Sequence, residues 1–77
     1  MAAVLILEDD DDLREILVDT LQDLDHEVRG VPRGEQAIEL FQQSHFDLLV
    51  VDIRMAGPDG LETVAYLRQL GILVPTL

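Results

Sequence analysis

Two groups of carboxylates in this chain stand directly behind apolar runs: Glu8-Asp9-Asp10-Asp11-Asp12 behind Val4–Leu7, and Asp52 behind Phe46–Val51. Acids placed this way differ from acids scattered over a polar face. The apolar run reads as a strand covered on both sides, so the point where the acid emerges is fixed by the sheet. Neighbouring parallel strands lie about 4.8 Å apart, so if these two strands are adjacent, Asp9 and Asp52 can approach one point. Two like charges about 5 Å apart repel by roughly 3 kcal/mol at an effective dielectric of about 20. A cation between them would relieve that repulsion, and an all-oxygen donor set suits Mg²⁺, which takes one or two carboxylates plus water and phosphate oxygens at about 2.0–2.1 Å. Asp10, Asp11 and Asp12 read more simply as the solvated, dipole-favoured start of a helix. Glu8 and Asp9, directly off a buried strand, favour a site. For Asp52 the helix-cap alternative is weak, because no helix begins for several residues after it.

The elements that must hold these acids follow from periodicity. Val4–Leu7 is a short continuous apolar run, the first strand. Leu13, Ile16, Leu17, Leu21 and Leu24 recur at spacings of three and four and predict a first helix with one apolar stripe. Asp12 with Glu15 can form its capping box, or Asp10 or Asp11 can cap it. The alternating segment His26–Val31 predicts a more exposed second strand, broken by Pro32-Arg33-Gly34. Glu35–Gln43 reads as a second helix with Ala37, Ile38 and Phe41 on its inner face. Phe46–Val51 is a second buried strand, and Ile53–Gly60, with Pro and two Gly, is a loop. Asp59-Gly60-Leu61-Glu62 starts a third helix carrying Leu61, Val64, Leu67 and Leu70, and Gly71 stops it. The order strand, helix, strand, helix, strand, helix predicts an α/β fold with a parallel sheet, helices on both faces and ligands at the carboxyl ends of the strands.

Composition narrows the function. The 77 residues allow one small domain, and the absence of Cys excludes disulfides, thiolate metal sites and a cysteine nucleophile. With 16 Asp and Glu against five Arg and no Lys, the formal net charge is −11, which repels nucleic-acid backbones and anionic membranes. The N-terminal apolar run lacks a basic flank and is too short for a span or a signal peptide, so a soluble, cytoplasmic protein without direct nucleic-acid contact is expected.

VLILEDDDDLREIL, followed some forty residues later by FDLLVVDIRMAGPDGLE, resembles the receiver domain of two-component response regulators in order, spacing and flanking residues. The resemblance spans nearly the whole chain. It implies a flavodoxin-like, three-layer α/β/α fold, of which residues 1–77 would form a single partial domain of about the first three βα units. It also implies that Asp52 is the phosphoacceptor, taking a phosphoryl group from a histidine kinase or phosphotransfer protein as an acyl phosphate. By the same resemblance Asp9 would ligate Mg²⁺ directly, Glu8 directly or through water, with the Asp52 carboxylate and the Arg54 backbone carbonyl as further ligands. Gly60 matches the family's glycine before the third helix. Ala56 stands where a proline is common and Pro58 where a methionine is common. Both fall in the loop after the acceptor and should alter its stiffness without abolishing the site.

Receiver domains usually continue through two further strands and helices, which bring a Ser or Thr, an aromatic switch residue and a Lys. This chain stops as the fourth strand would begin, with Thr76 read as that strand's start. Phosphoacceptance without the usual readout is therefore expected. The third strand, Asp47–Val51, would be left as an apolar edge with unpaired backbone groups. That edge suggests either a fragment or a homo-oligomer or swapped dimer formed through it. The competing reading is a receiver-like interaction or dimerisation module that does not signal by phosphate. A phosphatase of the haloacid dehalogenase type wants Asp-x-Asp followed by an apolar residue and Thr. Here Leu13-Arg14 follows the acids instead. His26 and His45 fall at strand starts away from the acids and read as surface residues.

Overall fold

A computed structural model describes residues 1–51, 59–72 and 75–76. Its elements run β1 (Ala3–Leu7), α1 (Asp11–Asp23), β2 (Glu27–Val31), α2 (Gly34–Gln43), β3 (Leu48–Val51) and α3 (Asp59–Gln69). The strands pair in parallel in the order β2-β1-β3. β1 is central and apolar on both faces, with Val4, Leu5, Ile6 and Leu7 all buried.

The two faces of the sheet are packed differently. On one, Leu5, Leu7, Val31, Leu49 and Val51 meet Ala37 and Phe41 of α2 and Leu67 of α3. Phe46, between α2 and β3, sets its ring against Phe41 edge-on, centroids 5.2 Å apart. On the other face Val4, Ile6 and Val28 meet Leu17, Val18 and Leu21 of α1. This makes three layers, with the α2 and α3 side more completely sealed.

The apolar stripe expected on α1 is only half used. Leu17 and Leu21 pack as predicted, whereas Leu13, Ile16 and Leu24 are 39%, 61% and 63% exposed. The inward direction is rotated toward Val18, which lies over Gly30 of β2. In α3, Leu67 is buried and Val64 partly so, but Leu61 and Leu70 are exposed and the buried polar residue is Thr63. A helical stripe read from sequence is wider than the contact that one sheet provides, so its flanks stay in water.

Helix ends are set by local chemistry. Asp10, and neither Asp11 nor Asp12, is the α1 cap: its carboxylate accepts the Leu13 N–H at 3.0 Å. At the far end Asp25 takes φ 67, with its N–H on the Gln22 carbonyl and that of His26 on Leu21. Gly71 repeats the motif after α3 with φ 79, its N–H on Arg68 and that of Ile72 on Leu67. Both are left-handed terminations that satisfy the last carbonyls.

The third-strand edge is less bare than expected. Thr76 forms a parallel bridge with Leu49, whose N–H donates to the Pro75 carbonyl at 2.9 Å. Thr76, expected to start a fourth strand, is an isolated bridge residue at this edge and not part of a named strand. Among the described residues no helix is long and apolar enough to cross a membrane.

Candidate functional site at the carboxyl end of the sheet

The register of the sheet is what brings the acid groups into relation. β1 and β3 are adjacent, with Leu5 opposite Leu49, Ile6 opposite Val50 and Leu7 opposite Val51. Leu7 immediately precedes Glu8 and Val51 immediately precedes Asp52. The adjacency of the two acid-bearing strands, a condition left open by periodicity, is thus met. Asp52 and Arg54 themselves lie outside the described residues, as do Ala56 and Pro58.

Glu8 is the best-anchored acid of the group. Its side chain is buried, the residue being only 3% exposed. Its N–H extends the β1–β2 ladder onto the Val31 carbonyl at 3.0 Å, and its Oε2 accepts the Asp10 N–H at 3.1 Å. A buried carboxylate needs such partners, because burial of an uncompensated charge is costly. Asp9 is exposed at the same strand end. Asp10 is committed to the helix cap, and Asp11 and Asp12 occupy the first turn, where the helix dipole favours them. Asp10, Asp11 and Asp12 thus occupy the helix start expected of them, and Glu8 and Asp9 precede it at the end of β1.

Sequence reasoning passed over Arg14. Its Nη2 donates to Asp11 Oδ1 at 2.6 Å and its Nη1 to the Glu8 carbonyl at 2.9 Å. A signal was available: an Arg three residues after an Asp at a helix start can turn back onto it, and a Gly inside a strand marks a close approach by another element.

Two consecutive carboxylate residues, hard and oxygen-only, suit Mg²⁺ in kind. Among the described residues there is no group of three or more His, Cys, Asp or Glu able to hold a metal. Glu8 and Asp9 would therefore form part of a shell, which the expected ligands Asp52 and Arg54 would have to complete. Two concavities of about 500 Å³ lie elsewhere, one beside Leu49 and Thr76 and one around His26 and His45. Neither touches the acids, and a solvent-facing cation site needs no cavity of that kind.

The histidines fasten the opposite end of the sheet. His26 Nδ1 accepts the Ala2 N–H at 3.1 Å, and His45 Nε2 lies 3.1 Å from Asp47 Oδ1. Asp47 Oδ2 also accepts the Ala3 N–H at 2.8 Å. That N–H first, then His45, holds the Asp47 carboxyl below its usual pKa.

Comparison with known proteins agrees with this geometry. Residues 4–77 match the model of the response regulator receiver domain. The chain is 35% identical over 74 residues to the two-component response regulator PhoP of Pseudomonas aeruginosa, covering 96% of this chain and 33% of that protein. Response regulator TrrA of Thermotoga maritima, solved in complex with Mg²⁺-BeF, superposes with a TM-score of 0.80 at 33% identity, over 91% of this chain and 61% of that one. TrrA solved in complex with the histidine kinase ThkA gives 0.85 at 30% identity, over 99% and 66%. The chain spans 28 to 35% of the length of the first three curated relatives it matches. With its flavodoxin-like arrangement of parallel strands and its acids at the carboxyl end of β1, the chain belongs to the response regulator receiver domain family.

Proposed function

We propose that residues 1–77 form one partial receiver unit that accepts a phosphoryl group on Asp52 from a histidine kinase or phosphotransfer protein, in a Mg²⁺-dependent step of cytoplasmic signal transduction. The observation that carries the reading is the register of β1 against β3, Leu7 opposite Val51, which sets the residues just before Glu8 and just before Asp52 side by side. In the proposed step an Asp52 carboxylate oxygen forms a bond to phosphorus as the bond from phosphorus to the donor's imidazole nitrogen breaks, leaving an acyl phosphate on the chain and the electron pair on the donor. Glu8, Asp9, Asp52 and the Arg54 carbonyl would hold the ion, whose bound charge would offset that on the phosphoryl oxygens. Glu8, buried and anchored through Asp10 N–H, would fix the shell, while exposed Asp9 would meet the ion from the solvent side. The chain acts here as an acceptor module and not as a conventional enzyme. The solved complexes of TrrA with Mg²⁺-BeF and with ThkA support the choice of ion and donor.

The test is intact mass after incubation with Mg²⁺ and acetyl phosphate, with oligomeric state recorded alongside. One added phosphate on the wild type and none on Asp52→Asn is the expected result. A folded wild type that gains no phosphate would overturn the reading in favour of an interaction module.

A further inference from the structure

We infer that Arg14 is the positioning residue of the acid pair, its guanidinium tying the Glu8 carbonyl to Asp11 and thereby setting how Glu8 and Asp9 leave β1. The inference rests on the metal reading above. Arg14 belongs to the first turn of α1, where its backbone N–H bonds the Asp10 carbonyl at 2.9 Å. From there its side chain runs back across β2 to the end of β1, and it is only 20% exposed. The path exists because residue 30 is glycine. A Cβ at Gly30 would lie 3.0 Å from Arg14 Cγ, 3.2 Å from its Cδ and 2.9 Å from Val18 Cγ2, so any larger residue would displace the stem.

At the end of that path the planar fork spends one N–H on a backbone carbonyl and another on a carboxylate. The Glu8 carbonyl belongs to the peptide unit that joins Glu8 to Asp9, so holding it orients both acids at once. Partners that orient ligands in this way commonly matter about 10-fold or more to metal affinity. A guanidinium so close to carboxylates also carries a penalty, since its positive charge opposes a second cation. Geometry and charge therefore act in opposite directions on Mg²⁺ binding. Arg14 is placed for the first, and a lysine, lacking the fork, would keep only the second.

This opposition supplies the test. Mg²⁺ is titrated into the isotopically labelled 77-residue chain while the amide resonances of Glu8, Asp9 and Asp10 are followed by NMR, for wild type, Arg14→Lys, Arg14→Met and Gly30→Ala. The expected result is an apparent Kd weakened about 10-fold in both Arg14 variants, although Arg14→Met removes a repelling charge, and weakened also in Gly30→Ala, which keeps that charge. Tighter binding by Arg14→Met with unchanged binding by Arg14→Lys would make Arg14 a charge effect only and overturn the inference. Unchanged affinity in all folded variants, with loss confined to melting temperature, would make it a structural residue only and also overturn it. If Arg14→Met does not fold, Arg14→Lys and Gly30→Ala decide. A wild type whose resonances ignore Mg²⁺ would instead sink the metal reading itself, before any variant is compared.

Discussion

At the amino end of the sheet the carboxylate of Asp47 accepts the Ala3 N–H at 2.8 Å and stands 3.1 Å from His45. The neighbouring Ala2 N–H is taken by His26. At the carboxyl end five consecutive acids follow Leu7, with Arg14 reaching in among them. The same side-chain chemistry serves different ends in the two places. Asp47 is matched by donors supplied by the fold, so it closes the sheet and leaves little for a ligand. The run from Glu8 to Asp12 puts several negative charges on one short stretch, where Glu8 accepts the Asp10 N–H, Asp10 caps α1 and Asp11 meets Arg14. Excess negative charge at a strand end is what a cation can exploit. The difference teaches that the same carboxylate chemistry gives the two sheet ends different charge densities, one acid beside a histidine at one end and five acids in a row at the other.

The largest expected effect that would break this contrast is the response to metal. At about 100 times its dissociation constant, Mg²⁺ should stabilise the wild type by about 2.7 kcal/mol. Asp9→Asn should lose most of that gain, while Asp47→Asn should retain it. Thermal melts with and without Mg²⁺ check both, and an equal response in the two variants would erase the distinction between the sheet ends.

A smaller effect sharpens the division within the acid run. Asp10→Ala removes the α1 cap and should cost about 1 kcal/mol, whereas Asp12→Ala, an exposed first-turn acid, should stay within about 0.5 kcal/mol of wild type. Chemical denaturation of the two variants side by side separates them.

The smallest effect is the pH dependence of the closed end. Because the folded Asp47 carboxyl sits below its unfolded value, its contribution is fully present above the unfolded value, about pH 4, and is lost as pH falls through the lowered folded one. Wild type should therefore melt above Asp47→Asn at neutral pH, with the two curves converging under acid. Salt should narrow the gap, since the group is exposed.

Much of this molecule was legible before its folding. The apolar runs located β1 and the end of β3, the spacing of Ala37, Ile38 and Phe41 located the inner face of α2, and Gly71 marked the stop of α3. The separation of Glu8 and Asp9 from the helix-start acids was also readable, because one pair ends a buried strand and the others begin a polar helix. Less legible were the inward rotation of α1 toward Val18 and the burial of Thr63. Both depend on which neighbour a face meets, and a single helix pattern does not carry that information. The start of β3 at Leu48, rather than at Phe46, was hidden for a related reason: Phe46 is buried against Phe41, edge to face, and not by strand pairing.

By itself the sequence determined the element order, the parallel class of sheet, the negative charge and the placement of acids behind apolar runs, since all of these depend on residue type and local spacing. Only the tertiary structure decided that β1 lies between β2 and β3, because strand order depends on how crossovers pack and not on any one segment. It alone chose Asp10 as the cap among adjacent aspartates, through the turn that aims its oxygen at the Leu13 N–H. And it alone revealed Arg14 as the tie between helix and strand, because that contact needs Gly30, sixteen positions away in sequence, to leave room beneath the arginine stem.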